Sequence, residues 1–407
     1  MKKYPLNTIE KNIECSSTEW KKIKNDILMS AIKEKKQTSP NNIMTQALMF
    51  FQTRYAHEVV AESKINDENK YYVFTPYFSN EKMTQDECSF NIKFQYFDFD
   101  KLSEQDLFKY KFSFVPKIMS DKEREADWER MKNNFTILKV AEMIKNDDLI
   151  TCEIIPYSQG KELIEYKNNI VVKANSNEKG LAKDLIDHKI NDVISHSESP
   201  EEKIQITILK IERPTNIVLT EENLHESGLT EFKNLKELKS SFTKDNKWIN
   251  YNFELGRFLN EFIKNFSSNN ELEFDMDIFS ILLEENLDRF LSKLPDDKYK
   301  EIQKSLMAEN GKSPLINELS IDLKENIWKD IITSFVKNTK NFTSVSKEEV
   351  EKEKRFINLI YSPEKINQLK INEERITKAI LDKKVSTFLL EKLDPESFAK
   401  INALIEE

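Results

Sequence analysis

Ser89-Phe90-Asn91-Ile92-Lys93-Phe94-Gln95-Tyr96 alternates polar and apolar side chains without a break. A period of two puts Phe90, Ile92, Phe94 and Tyr96 on one face of a strand and Ser89, Asn91, Lys93 and Gln95 on the other. Tyr110, Phe112 and Phe114 repeat the pattern, with Lys109, Lys111 and Ser113 between them, and Tyr71 to Phe78 is short and rich in β-formers. The expected result is an antiparallel sheet with one wet face. On its N-terminal side the period changes. Ser16 and Glu19 form a capping-box pattern before a helix running to about Lys35, and Ser39-Pro40 supplies the N-cap and first-turn proline of a second. Met44, Leu48, Phe51, Tyr55 and Val59 share one face of that second helix. Two packed helices are expected to open the chain.

On the C-terminal side, Ser120 and Glu123 cap an expected helix carrying Trp128, Met131, Phe135 and Leu138 and ending near Lys145. Strands are expected over Leu149 to Pro156, Glu162 to Lys167 and Ile170 to Lys173, with Asn168-Asn169 as a tight turn. Glu178 to His196 reads as a helix, and Ile204, Ile206 and Ile208 as a further strand. After about Thr220 the strand signal stops. Helical patterns cover roughly 230 to 242, 246 to 266, 275 to 293, 296 to 309, 321 to 337, 346 to 360, 373 to 393 and 395 to 406. Gly311 is placed as a C-terminal cap and Asp394-Pro395 as a helix start. The fold class is therefore α+β: an N-terminal helical pair, an antiparallel or mixed sheet region with packed helices, and an all-α C-terminal half. The expected domains are 1–66, 67–220 and 221–407.

Composition excludes several chemistries. Five glycines occur in 407 residues, none within fifteen positions of another, whereas phosphate-cradling loops need them clustered so that backbone amides can approach the ligand. No P-loop, dinucleotide fingerprint or serine nucleophile elbow can be written on the chain, so no nucleotide cofactor is expected. The net charge of -9, from 71 acidic and 62 basic residues interspersed along the chain, disfavours a general nucleic-acid coat. Three scattered cysteines, Cys15, Cys88 and Cys152, indicate neither a disulfide framework nor a thiolate zinc site, and fit a reducing cytoplasm. Neither an apolar run after Lys2-Lys3 nor a stretch able to span a bilayer is present, so no membrane partner is expected. Abundant lysine, asparagine, isoleucine and phenylalanine match the bias of an AT-rich genome.

Two constellations carry chemistry of their own. The order helix, three strands, helix, strand over residues 121 to 213 is similar to the core of the PD-(D/E)xK nuclease family, in which an acid and a following acid-x-Lys hold a divalent metal beside the scissile phosphate. That resemblance implies Asp147 or Asp148 and Glu165 as metal ligands, with Lys167 steadying the developing charge; the catalytic set it names is Asp148, Glu165 and Lys167. In the family the acid-x-Lys usually lies on the third strand, where this chain has Val171-Val172-Lys173 with no acid. A solvated hairpin face accounts for the same residues. Lys111, Phe112 and Phe114, within Lys111-Phe112-Ser113-Phe114-Val115, resemble the aromatic strand of RNA-recognition sheets, where rings stack on bases. The two glycines of that signature are absent, and core packing explains alternating rings equally well.

Asp184, His188, Asp192 and His196 recur every four residues and read as the polar face of a helix, since steps of four drift around its axis and do not converge on one ion. Lys347 to Arg355 reads as an exposed helix with Glu-to-Lys support. With no glycine loop, metal cluster or nucleophile motif, the expectation is a non-enzymatic cytoplasmic protein-interaction protein. Its partners are other proteins, it needs no cofactor, and its setting is host conflict, defence or secretion machinery of an AT-rich bacterium, phage or mobile element. The second reading is a nucleic-acid-binding protein or a metal-dependent nuclease, for which a divalent metal would be required.

Overall fold

The computed structural model describes residues 1–33, 38–63, 69–73, 76–158, 161–177, 180–199, 202–295, 298–299, 302 and 313–406. They belong to two units, one made of residues 1–117 and 248–407 and the other of residues 118–247. The fold is α+β.

The first unit begins with β1 (Lys2–Pro5) and β2 (Asn7–Cys15), followed by helices α1 (Ser17–Lys33) and α2 (Pro40–Ser63). The N-cap chemistry read from the sequence is in place. The Glu19 amide donates to Ser16 Oγ at 3.2 Å and the Asn42 amide to Ser39 Oγ at 3.2 Å. Next come β3 (Lys70–Tyr72), β4 (Tyr77–Met83), β5 (Cys88–Asp98) and the short α3 (Glu104–Phe108). Strand β5, the stretch with the unbroken alternation, pairs antiparallel with β2, β3 and β4. Its faces serve different cores. Phe90, Ile92 and Phe94 pack with Trp20, Leu48 and Phe51 of the helical pair. Phe97, on the opposite face, joins a cluster with Tyr4, Phe258 and Trp328. Strands β1 and β2 are additions to the expected layout. In β2 only Ile9 and Ile13 alternate with charged and amide residues, so its signal is that of a half-exposed strand.

The expected strand at 109–115 does not form; the chain bends at 109–110 and residues 111–115 carry no regular secondary structure. Its backbone is satisfied by side chains instead. The Phe114 amide donates to Asp394 at 3.0 Å, Ser397 Oγ donates to the Phe114 carbonyl at 2.6 Å, and Arg257 donates to the Val115 carbonyl at 2.6 Å. Glu254 accepts from the Lys117 amide at 2.7 Å. A buried main chain must find such partners, and here helices supply them.

The second unit carries α4 (Asp121–Asn133), β6 (Phe135–Val140), β7 (Leu149–Ser158), β8 (Lys161–Glu162), β9 (Asn168–Lys173), the four-residue α5 (Leu181–Asp184), β10 (Val193–Ser199) and β11 (Glu202–Ile217). The long strand β11 pairs antiparallel with β6, β7 and β10, and β7 pairs on its other side with β8 and β9. Helix α4 stops earlier than expected, at Asn134, because Phe135 to Val140 is captured by β11. The expected helix over 178–196 is broken. Asp187 and Asn191 take positive φ, 67° and 71°, conformations that short polar side chains tolerate and a helix does not. The expected strand over 162–167 is a two-residue strand and a 3-10 turn at Ile164–Tyr166.

Helix α6 (Leu235–Asn269) merges two expected helices; it begins in the second unit and ends in the first. It is followed by β12 (Asn270–Glu273), α7 (Met276–Leu291), α8 (Pro314–Thr339), α9 (Lys347–Ile360), α10 (Pro363–Gln368), α11 (Glu373–Leu393) and α12 (Pro395–Asn402). Strand β12, where a loop was expected, pairs parallel with β1, Lys2 opposite Asn270 and Tyr4 opposite Leu272. The expected helix at 296–309 and the cap at Gly311 lie largely or wholly outside the described residues. Phe258, Phe262 and Phe266 of α6 recur every four residues and form the aromatic spine of the larger core with Trp328.

Candidate binding cavity

Segments of three helices in the first unit frame an open cavity of about 400 Å³, and each contributes side chains one turn apart. From α6 come Trp248, Tyr251 and Asn252, at the i, i+3, i+4 spacing that places them on one face. The rings of Trp248 and Tyr251 stack with centroids 5.5 Å apart and planes at 13°. From α9 come Glu349, Lys352 and Glu353, and from α11 Ile380, Lys383, Lys384, Thr387, Phe388 and Glu391. Phe342, in the turn before α9, completes an aromatic lining of four rings.

The charges are ordered from the floor to the rim. Glu353 is 5% exposed and takes the ammonium of Lys383, which also lies 4.3 Å above the Phe356 ring. Burial pushes the Lys383 ammonium below the ordinary lysine range, and the Glu353 carboxylate works in the other direction. Closer to solvent, Lys384 pairs with Glu349 at 2.8 Å, and this contact with the Ser346 amide holds the Glu349 carboxyl below its usual range. Asn252, 5% exposed, donates through Nδ2 to the Trp248 carbonyl at 2.7 Å, while its Oδ1 has no partner. Burial raises the Tyr251 phenol. Apolar walls with a few placed polar groups are the make-up of a ligand site.

The residues expected from sequence fall elsewhere. Asp148 is fully buried and accepts Nε and Nη2 of Arg213, both at 2.8 Å, and the Lys145 amide at 2.7 Å. Burial disfavours its charged form, but the guanidinium and the amide outweigh that and hold its carboxyl below the usual range. Glu165 and Lys167 are exposed at the 3-10 turn, Lys167 paired with Glu153 at 2.7 Å. Strand register separates the set. Asp148 precedes Leu149 at one end of β7, whereas Leu163, leading into the turn, donates to the Pro156 carbonyl. Seven residues of strand at about 3.3 Å each keep the two carboxylates roughly 20 Å apart, too far to share an ion. Asp147 pairs with Lys173 at 2.7 Å. Among the described residues no group of three or more His, Cys, Asp or Glu could hold a metal.

Phe112 and Phe114 are packed edge-on against Phe258, at 5.8 and 5.5 Å, with Phe114 buried, so these rings fill the core and offer no stacking platform. Lys111 is exposed beside them. The polar ladder at 184–196 forms two separate pairs, His196 with Asp184 at 2.7 Å and His188 with Asp192 at 3.3 Å. Helix α9, expected to be an exposed charged helix, turns Glu353 inward. A signal was present: Glu353, Phe356 and Ile357 share one helical stripe, and all three are buried. The cavity itself was not foreseen, because its walls are distant in sequence.

No family profile matches the chain, and no curated protein matches it. The chain is similar to a solved structure reported as "Promiscuous Substrate Recognition in Folding and Assembly Activities of the Trigger Factor Chaperone", at 18% identity and a TM-score of 0.36, covering 95% of this chain and 98% of that one. A likeness of that size carries no argument for function. Among the described residues no helix is long and apolar enough to cross a membrane.

Proposed function

We propose that this is a protein-interaction protein of a reducing, cytoplasmic compartment, and that the cavity between α6, α9 and α11 receives a bulky apolar or aromatic side chain of a protein partner. The observation that supports this reading is the set of four rings, Trp248, Tyr251, Phe342 and Phe388, lining a space of about 400 Å³ that the described residues leave unfilled. Aromatic walls of this kind carry much of the binding energy at protein interfaces. Glu391 at the rim is exposed and, unlike Glu349 and Glu353, has no ion pair among the described residues, so it favours a basic residue next to the anchoring side chain. The net charge of -9 acts in the same sense over longer range.

Trp20, Trp128 and Trp328 are buried, whereas Trp248 is half-buried in the cavity wall, so intrinsic fluorescence reports on this site. Affinity selection of a random peptide library on the intact chain should enrich an aromatic or large aliphatic residue beside Lys or Arg. Selected peptides should shift the tryptophan emission, Trp248→Ala should weaken them by about tenfold or more, and Glu391→Lys by less. Enrichment indifferent to both substitutions would move the binding surface elsewhere, and selection of nucleic acid over peptide would replace the reading.

A further inference from the structure

Cys15 is the last residue of β2 and Cys88 the first of β5, and the antiparallel register sets them directly opposite each other. Opposed residues of such a pair have Cα atoms about 4.5 or 5.5 Å apart, inside the range of about 4.4 to 6.8 Å that a disulfide needs. Both thiols are free, both are buried at 8% and 2% exposure, and both point into the cluster formed with Trp20, Phe51 and Phe90. We propose that Cys15 and Cys88 form an oxidisable dithiol, a modification site that takes small disulfides and closes to an intramolecular bridge.

The chemistry of the pair fits that role. The neighbouring sulfur pushes the Cys15 thiol up and the Cys88 thiol down, so Cys88 is the more readily ionised of the two. The charges nearest Cys15 are Glu19 and Arg54, which pair with each other at 3.2 Å, and the one nearest Cys88 is Glu81. In the first step Cys88 gives its proton to solvent and the resulting thiolate attacks one sulfur of a small disulfide RSSR; a Cys88–SR bond forms and RS⁻ leaves, taking a proton from solvent. In the second, Cys15 loses its proton to solvent and its sulfur attacks that of Cys88, expelling the second RS⁻, which is protonated in turn. Two protein thiols and one RSSR become one protein disulfide and two RSH. Access comes through the strand end. The pair is the terminal rung of the β2/β5 ladder, where local opening costs least. The bridge would tie the start of β5 to the residue before the N-cap of α1. Cys152 is the internal control: alone on β7, wholly buried, with its thiol pushed up to about 11 by burial.

The test treats the intact folded chain with hydroxyethyl disulfide, then alkylates it with N-ethylmaleimide in denaturant and maps the peptides by mass. The expected result is the loss of two of the three alkylatable thiols, a cross-linked peptide pair containing Cys15 and Cys88, and alkylation at Cys152. Dithiothreitol should restore all three. Cys88→Ser should abolish the cross-link with the helical signal unchanged in circular dichroism, and because the wild-type protein carries the main result, a failure of that variant to fold leaves the test intact. Hydroxyethyl adducts on Cys15 or Cys88 without a cross-link, or oxidation of Cys152 as readily as of the pair, would overturn the proposal.

Discussion

Asp148 and Glu353 are both carboxylates cut off from water by their surroundings, yet they are held in different ways. Asp148 accepts three short hydrogen bonds, two from the planar fork of Arg213 and one from the Lys145 amide. Glu353 has the single ammonium of Lys383, and that ammonium is disfavoured by its own burial. A bidentate guanidinium with an added backbone donor compensates desolvation; a lone lysine does so only partly. The difference separates a clamp that fixes a turn from a pair left beside an open cavity. Buried charge in this chain therefore marks structure where both carboxylate oxygens are bonded, and a candidate ligand site where one is not.

The largest expected effect comes from breaking the clamp. Asp148→Ala leaves Arg213 and the Lys145 amide without their acceptor and should destabilise the unit of residues 118–247 by about 3 kcal/mol in denaturant melts. A loss under about 1 kcal/mol would mean that Arg213, already partly exposed, simply turns to solvent. Glu353→Leu should cost less, about 2 kcal/mol, because Lys383 retains some access to water. Adding Lys383→Met should recover most of that loss, and a double-mutant cycle with no coupling would remove the contrast drawn above.

The smallest effect is in pH dependence, where the slope has the same sign for both but falls in different windows. Asp148 is depressed in the folded state, so its contribution is complete above the ordinary aspartate value and is lost as the pH falls through that value toward the folded one; Asp148→Asn should flatten this acid limb. Lys383 is also depressed, so the unfolded chain binds its proton more tightly, and stability should rise as the pH climbs through the folded value toward 10.5. Melting temperatures measured across both windows, with Lys383→Met as the flat reference, check each slope.

How much of this was legible beforehand varied with the distance over which the residues are satisfied. The alternation at Ser89 to Tyr96 was legible because Phe90, Ile92 and Phe94 are buried on one face while Ser89, Asn91 and Lys93 on the other stay partly exposed. Residues 109–115 show the same alternation, and there the pattern misled: Asp394, Ser397 and Arg257 take main-chain groups of Phe114 and Val115 that a neighbouring strand would have taken. The helix expected over 178–196 had the right apolar spacing, but Asp187 and Asn191 sit at the positions where the backbone turns left-handed. Caps at Ser16, Ser39 and Ser120 were readable because a cap is a local event. The cavity was not, since Trp248, Glu353 and Lys383 come together only when α6, α9 and α11 pack.

The parallel pairing of β1 with β12 sets a timetable for the chain's birth. Lys2 and Tyr4 leave the ribosome well before their strand partners, Asn270 and Leu272, which follow only after the whole of residues 118–247 has been made. At usual synthesis speeds that is a wait of roughly 15 to 50 s. During it the N-terminal edge is unpaired, while the later-starting segment already has every residue it needs to collapse. The part of the protein that begins first is thus the part that must finish last.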